Sequence, residues 1–257
     1  MNYLLKELIK GTYPPRLIAC SGKGFSQRDI VEAEKYGAIA FELRFDLLQK
    51  EYTSEFEKIL TKNLATLDGK KIVITARSKR EGGFFSGTKK ERESLYLRYL
   101  KHVFAVDIEL AELSQHEKLL DNVKQEGKLI IGSYHNFKTV PPLKKLHQLV
   151  TIGKKYQVDI VKIAGYADHP KQLLPLLQFQ CEGEMPLSLM TMGKTALFSR
   201  VLFANIGSVF TYSAIGTPTA PNQPTCKQIY KYTKMFFPEK EQVVGKVLNK
   251  TNILNEG

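Results

Sequence analysis

Short runs rich in β-branched, aromatic and other apolar residues recur along the chain, separated by longer stretches of helical character. Eight runs cover 17–20, 38–45, 71–77, 103–110, 128–135, 158–165, 186–192 and 208–214. Between them, Ser26 to Lys35 offers a serine as N-cap, Thr88 to Lys101 carries acidic residues early, and Ser114 to Gln125 is a third helical stretch. Strand and helix alternate to the end, which predicts parallel βαβ units. Eight units in about 250 residues point to a closed (β/α)8 TIM barrel rather than an open doubly wound sheet. No Pro/Gly/Ser linker or repeat divides the chain. It reads as one barrel domain over 1–257, with an N-terminal extension at 1–14 and a polar C-terminal tail at 239–257.

Successive residues of a strand point to opposite faces, so each run can be split by parity. In the second run Phe41, Leu43 and Phe45 oppose Glu42, Arg44 and Asp46; in the fourth, Val106, Ile108 and Leu110 oppose Asp107 and Glu109. The fifth groups Ile131, Ser133 and His135, and the sixth sets Ile160 and Lys162 against Val161 and Ile163. One face is apolar, as a surface beneath helices should be. The other turns polar toward the C-terminal end of the strand, where barrel enzymes keep their sites. Converging carboxylates, arginine, histidine and lysine are unfavourable unless a network or a polar ligand satisfies them.

Lys162 is the most informative member, because it interrupts the apolar run Val158 to Ala164. Burial disfavours an ammonium and leaves more free amine, the form that attacks a ketone. The competing reading is a lysine paired to a carboxylate at a strand end. Likewise Glu42 and Arg44 could form a lumen ion pair, Asp107 and Glu109 could hold lysines, and His135 could be a hydrogen-bonded core residue. Met190 and Met192, in phase with Ser188, read as core fillers.

Bulk composition narrows the classes. A chain of 257 residues, 43% hydrophobic and 25% charged, builds a sizeable core without disulfide or metal. No segment has the apolar length of a membrane span, and Lys6 and Glu7 interrupt the only apolar stretch near the N-terminus, so a cytoplasmic location is expected. Cys20, Cys181 and Cys226 lie far apart, in no metal or redox spacing, and read as free thiols. The net charge of +12 comes from scattered pairs such as Lys70-Lys71 and Lys144-Lys145, without interleaved aromatic residues, so no nucleic-acid partner is expected. Neither a metal nor a cofactor is expected: no clustered histidine spacing occurs, and a cation would be repelled by Lys162 and the arginines.

Taken together and in order, several fragments resemble the type I 3-dehydroquinate dehydratases. They are Glu42-Leu43-Arg44-Phe45-Asp46, Arg77 followed by Glu81-Gly82-Gly83, Ser133-Tyr134-His135, Lys162 in VDIVKIAG, Met192-Gly193 with Ser199-Arg200, and Ala220-Pro221-Asn222-Gln223. The step of 27 positions from His135 to Lys162 also matches. The resemblance implies a lyase of the shikimate pathway, turning 3-dehydroquinate into 3-dehydroshikimate and water through an imine on Lys162. It implies His135 as general base and acid with Glu81 orienting it. Arg200 would hold the substrate carboxylate, and Ser21, Glu42, Arg44, Arg77, Thr219 and Gln223 would make the remaining substrate contacts. It further implies a homodimer.

Some positions depart from the family pattern. Asn136 stands where an acid is common, Asn222 where glycine is common, and Thr219 where serine is common. At the first strand end, Cys20-Ser21-Gly22, either Cys20 or Ser21 could be the contact. The glycine-rich loop Arg80 to Gly87 lacks a phosphate-loop lysine and is expected to act as a lid. The competing functions are another lysine-imine barrel such as a class I aldolase, against which Arg200, Gln223 and the Glu-Gly-Gly loop argue, and a retired barrel binding polyanions through its basic surface.

Overall fold

In the computed structural model, residues 15–51 and 53–238 are described, together with Leu5 and Lys6. Eight parallel strands form one sheet in the order β7-β6-β5-β4-β3-β2-β1-β8. They are β1 (Leu17–Ser21), β2 (Ala38–Arg44), β3 (Ile72–Thr75), β4 (Ala105–Glu109), β5 (Leu129–His135), β6 (Ile160–Tyr166), β7 (Leu187–Met192) and β8 (Thr211–Ala214). Every predicted run contains a strand, and the chain forms the expected (β/α)8 barrel. Side chains help close it between β7 and β8: Val209 N–H donates to Leu187 O at 2.7 Å, while the Ser208 and Ser188 hydroxyls accept from Leu189 and Phe210 N–H. These hydroxyls stand in for ladder carbonyls at the seam.

The helices follow from local chemistry. α1 (Gln27–Lys35) starts at a capping box in which Ser26 and Asp29 satisfy each other's backbone N–H, and α4 (Lys89–Tyr99) starts at the same device built from Thr88 and Glu91. The third expected helix begins later than its sequence suggests. Leu110–Gln115 is a 3-10 turn, so Ser114 caps nothing, and α5 (Glu117–Gln125) follows His116. The second strand also ends early. Phe45 opens α2 (Phe45–Glu51) directly after Arg44, which takes Asp46 off the strand.

Two apolar layers confirm the parity split. Leu17, Ala19, Phe41, Leu43, Val106, Ile108, Val161 and Ile163 pack outward under the helices. Ile18, Cys20, Ala40, Val73, Ile131, Ile160, Met190 and Tyr212 fill the lumen. Leu5, fully buried, joins this inner layer, so part of the 1–14 extension is built into the barrel; the tail at 239–257 lies outside the described residues.

Tyr96, on α4, links this scaffold to the polar end of the lumen. Its buried hydroxyl accepts from Ala76 N–H at 2.9 Å and donates to Asp107 O at 2.8 Å, fixing β3 and β4 beside Arg77 and Asp107. Tyr96→Phe strands the Ala76 N–H and should cost about 1–3 kcal/mol in denaturant unfolding. An unchanged midpoint and slope would show that the bridge carries no stability.

Candidate functional site

The register of the central strands brings Lys162 on β6 level with Ser133 on β5 and Ser188 on β7. Lys162 Nζ lies inside the lumen, 2.9 Å from Asp107 Oδ2 and 3.4 Å from Glu42 Oε1, and 3.6 Å above the centre of the Tyr212 ring. The lysine is therefore paired with carboxylates as well as buried in a cavity. Asp107 is the hub: Arg77 Nη2 donates to it at 2.7 Å and Ser133 Oγ at 2.6 Å. Burial pushes the Asp107 carboxyl up, but the charges of Arg77 and Lys162 overcome this and hold it well below the usual carboxylate range.

His135 ends β5 and meets the loop after β3. Both its backbone N–H and its Nδ1 contact Glu81 Oε2, at 3.0 and 2.9 Å. Burial, with Arg77 and Lys162 nearby, keeps the imidazole well below its ordinary value. Burial likewise raises Glu81 to about 8 against the opposing pull of Arg77, with Glu109 and Asp107 adding to the rise. Although the spacing is that of a salt bridge, both shifts favour the uncharged partners near neutrality. Because Oε2 already accepts the backbone N–H, it is best placed to accept from Nδ1–H too. This tautomer, assigned from the network, leaves Nε2 as the basic nitrogen.

The loop carrying Glu81 is fastened to the barrel. Ser78 N–H donates to Glu109 Oε1 at 2.8 Å, Phe84 N–H to Asp46 Oδ2 at 3.1 Å, and Phe85 N–H to Arg77 O at 3.0 Å. Gly83 packs so closely that a Cβ there would lie 2.1 Å from Arg77 O. The segment expected as a lid is thus a wall bonded at several points. Beneath it, buried Arg92 bridges Glu109 and Glu112.

The other binding candidates line the same cavity. Arg44 donates to both oxygens of Asp46, at 2.9 and 2.8 Å, which is the place Asp46 takes after leaving the strand. Glu42 accepts from Thr75 Oγ1, and Arg77 also donates to Ser133 Oγ. Thr219 donates through N–H and Oγ1 to Gln223 Oε1, and the turn between them runs through Asn222 at φ 53°, a left-handed conformation that asparagine tolerates. Arg200, on α8 (Ala196–Asn205), donates to the carbonyls of Tyr212, Thr191 and Ala196. Among the described residues no carboxylate forms a salt bridge with it, and burial lowers it to about 10. Among the described residues, carbonyl dipoles hold this charge.

Nine of the ten nominated residues line one cavity of about 490 Å³, open at its mouth: Lys162, His135, Glu81, Glu42, Arg44, Arg77, Arg200, Thr219 and Gln223. Ser21 does not. It falls in phase with Leu17 and Ala19 on the helix side, and its hydroxyl accepts from Lys23 N–H at 3.4 Å, whereas Cys20 is packed in the lumen. Met190 and Met192, read as core fillers, also form cavity wall, as does Tyr212. No sequence signal marked Arg92 or Tyr212. Among the described residues no cluster of three or more His, Cys, Asp or Glu could hold a metal ion.

This arrangement can be set beside known proteins. The sequence model for type I 3-dehydroquinases matches residues 23–240, and every nominated residue except Ser21 falls within that span. The chain belongs to the type I 3-dehydroquinase family. Among solved structures, the 3-dehydroquinate dehydratase of Geobacillus kaustophilus superposes with a TM-score of 0.76 at 22% identity, covering 90% of this chain and 94% of that one. The Aquifex aeolicus enzyme gives 0.68 at 28% identity, covering 86% and 99%. A Clostridium difficile type I enzyme, solved with covalently modified comenic acid, gives 0.73 at 21% identity, covering 88% and 93%. As a type I 3-dehydroquinase the chain is a hydro-lyase of the shikimate pathway, which makes 3-dehydroshikimate and water from 3-dehydroquinate through a lysine Schiff base.

The electrostatics of the dehydratase site make its pH response predictable. With His135 as the expected base, an imidazole held well below 6.5 stays unprotonated as pH falls through 6.5, and the acid limb of kcat/KM should then lie below that value. Glu81 is mostly uncharged below about 8, so Glu81→Gln should leave this limb in place whatever it does to the rate. A wild-type limb at or above 6.5 in the pH-rate profile would contradict the assignment.

Proposed function

We propose that Lys162 forms the imine of this dehydratase, His135 moves its protons, and Arg200 binds the substrate carboxylate. The observation that carries this reading is one cavity holding a lysine amine, an uncharged imidazole and a buried guanidinium without a carboxylate partner. A planar guanidinium is suited to bidentate recognition of a carboxylate, and substrate would supply the anion that the protein omits. Glu42, Arg44, Arg77, Thr219 and Gln223 surround the ring and engage its hydroxyls. Arg44 and Arg77 are already oriented by Asp46 and Asp107, which limits the entropy lost on binding.

The steps balance in atoms and charge. Starting from the Lys162 ammonium, two N–H protons leave with the ketone oxygen as water, and the nitrogen keeps its third proton and its positive charge in the iminium. His135 Nε2 relays protons from nitrogen to oxygen during this exchange. It next takes the proton from the carbon beside the iminium; the electron pair moves into the C=N system, giving the enamine. The enamine then expels the neighbouring hydroxyl, which leaves as water with the proton from His135. Water hydrolyses the product iminium, giving the ketone and restoring the Lys162 ammonium. The water used here replaces the one released on imine formation, so the net loss is one water. Glu81 holds the imidazole in the required tautomer throughout.

Borohydride reduction with 3-dehydroquinate, followed by peptide mass analysis, should place a stable adduct on Lys162. Lys162→Ala should abolish it, and His135→Ala should retain trapping while turnover falls by roughly 10²–10⁴-fold, the usual range for a lost acid–base group. An adduct on another lysine, or unchanged turnover in His135→Ala, would overturn the roles.

A cytoplasmic location is supported by the pathway chemistry, by three free cysteines, and by the absence among the described residues of any helix long and apolar enough to cross a membrane. A homodimer is supported by the family resemblance and by a cluster of exposed Phe198 on α8 with Phe236 and Phe237 at the end of the neighbouring α9 (Cys226–Phe236), since monomers seldom expose a contiguous apolar patch. Sedimentation equilibrium should give twice the chain mass of 29.2 kDa, and Phe198→Glu with Phe236→Glu should give the single chain. A wild-type value of one chain mass would remove the dimer.

A further inference from the structure

Lys162 is enclosed by groups from nearly every strand: Cys20 on β1, Glu42 on β2, Arg77 after β3, Asp107 on β4, His135 on β5 and Tyr212 on β8, with Ser188 level on β7. Its two carboxylates are divided. Asp107 also serves Arg77 and Ser133, and Glu42 also accepts from Thr75. The Tyr212 ring is not shared, for among the described residues no other cation lies over it. Its hydroxyl is buried and, among the described residues, has no hydrogen-bond partner. The phenol is therefore not placed by its oxygen, and the element presented to Lys162 is the ring face.

We propose that Tyr212 is a further catalytic residue, whose ring face keeps the imine nitrogen of Lys162 protonated while the neighbouring carbon gives up its proton. The inference rests on Lys162 as the imine lysine. An uncharged imine is a poor electron sink, so nitrogen must retain its proton until the electrons arrive. The two carboxylates stabilise the cation, but their lone pairs are divided among Thr75, Arg77 and Ser133 as well. An aromatic face attracts the cation through its quadrupole and offers no basic site. Ionisation of the phenol is opposed by burial and by the charges of Asp107 and Glu42, so Tyr212 remains a neutral ring. The bond changes are those already given: nitrogen keeps one proton from iminium formation until the enamine forms.

The test uses borohydride trapping and turnover with 3-dehydroquinate across pH, in the wild type, in Tyr212→Phe, and in proteins carrying progressively fluorinated phenylalanine at 212. Fluorine withdraws the negative potential of the face while nearly preserving its shape, and no partner is lost with the hydroxyl, so packing alone would not move the readout. Tyr212→Phe should retain the wild-type alkaline limb. Fluorination should move that limb to lower pH stepwise, by roughly half to one unit for a contact of cation–π strength. Normal adducts with an unmoved limb across the series would overturn the role of Tyr212 alone. No adduct in any of the proteins, wild type included, would overturn the imine reading with it.

Discussion

The contact between Lys162 and Asp107 sets the rest of the site in order. An ammonium in a barrel lumen needs a counter-charge, and a carboxylate in the same place needs donors for its remaining lone pairs. Asp107 meets both needs by taking Lys162 on one oxygen and Arg77 with Ser133 on the other. Arg77 then requires its own balance, which Glu109 supplies at 3.2 Å, and Glu109 in turn holds Ser78 N–H and Arg92. Each partner introduces the need for the next, until the chain of contacts reaches a helix outside the barrel. The same chain fixes the wall that presents Glu81 to His135. Removing one partner would strand a buried charge, so the network is held as a unit rather than pair by pair.

This alternation of charge explains why the imidazole stays uncharged amid so many carboxylates. Asp107 favours protonation of His135, but burial and the cations Arg77 and Lys162 oppose it, and Glu81 carries little charge with which to help. A neutral Glu81 can still orient the ring through Nδ1. Orientation and basicity are thereby separated: one carboxyl positions the imidazole without neutralising the charges that keep it a base. In the proposed mechanism the iminium on Lys162 would have the same charge as the ammonium it replaces, so the carboxylates around it would balance both.

Much of this was legible in the chain because strands impose a two-residue period. Parity placed Glu42, Asp107, His135 and Lys162 on the lumen face, and alternation of strand and helix gave the barrel. The period fails where a segment carries no contrast. All five residues of β1 are buried, so nothing in the sequence distinguishes the phase of Cys20 from that of Ser21. It fails again at Phe45, where α2 follows β2 with no glycine or proline to mark the boundary. Arg92 sits on a helix whose sequence gives no reason to look beneath the barrel for its partners. Tyr212 lies in a run of aromatic and small residues that reads equally well as plain core. These are non-local facts, fixed by which side chains meet across the lumen.

Arg200 shows how the balanced network and the ligand site divide the work. Around Lys162 the protein matches cation with anion, which makes a stable interior but leaves no charge for a substrate. Arg200 is treated differently. Three backbone carbonyls fix the guanidinium in position, and carbonyl dipoles solvate a cation without cancelling its charge. Burial makes that charge costly, and under the proposed role an arriving carboxylate would relieve the cost. The surface excess of lysine, within a net charge of +12, acts over longer range in the same direction by drawing anions toward the barrel. Attraction at the surface is nonspecific; under the proposed role, discrimination would come from a guanidinium that, among the described residues, no carboxylate pairs.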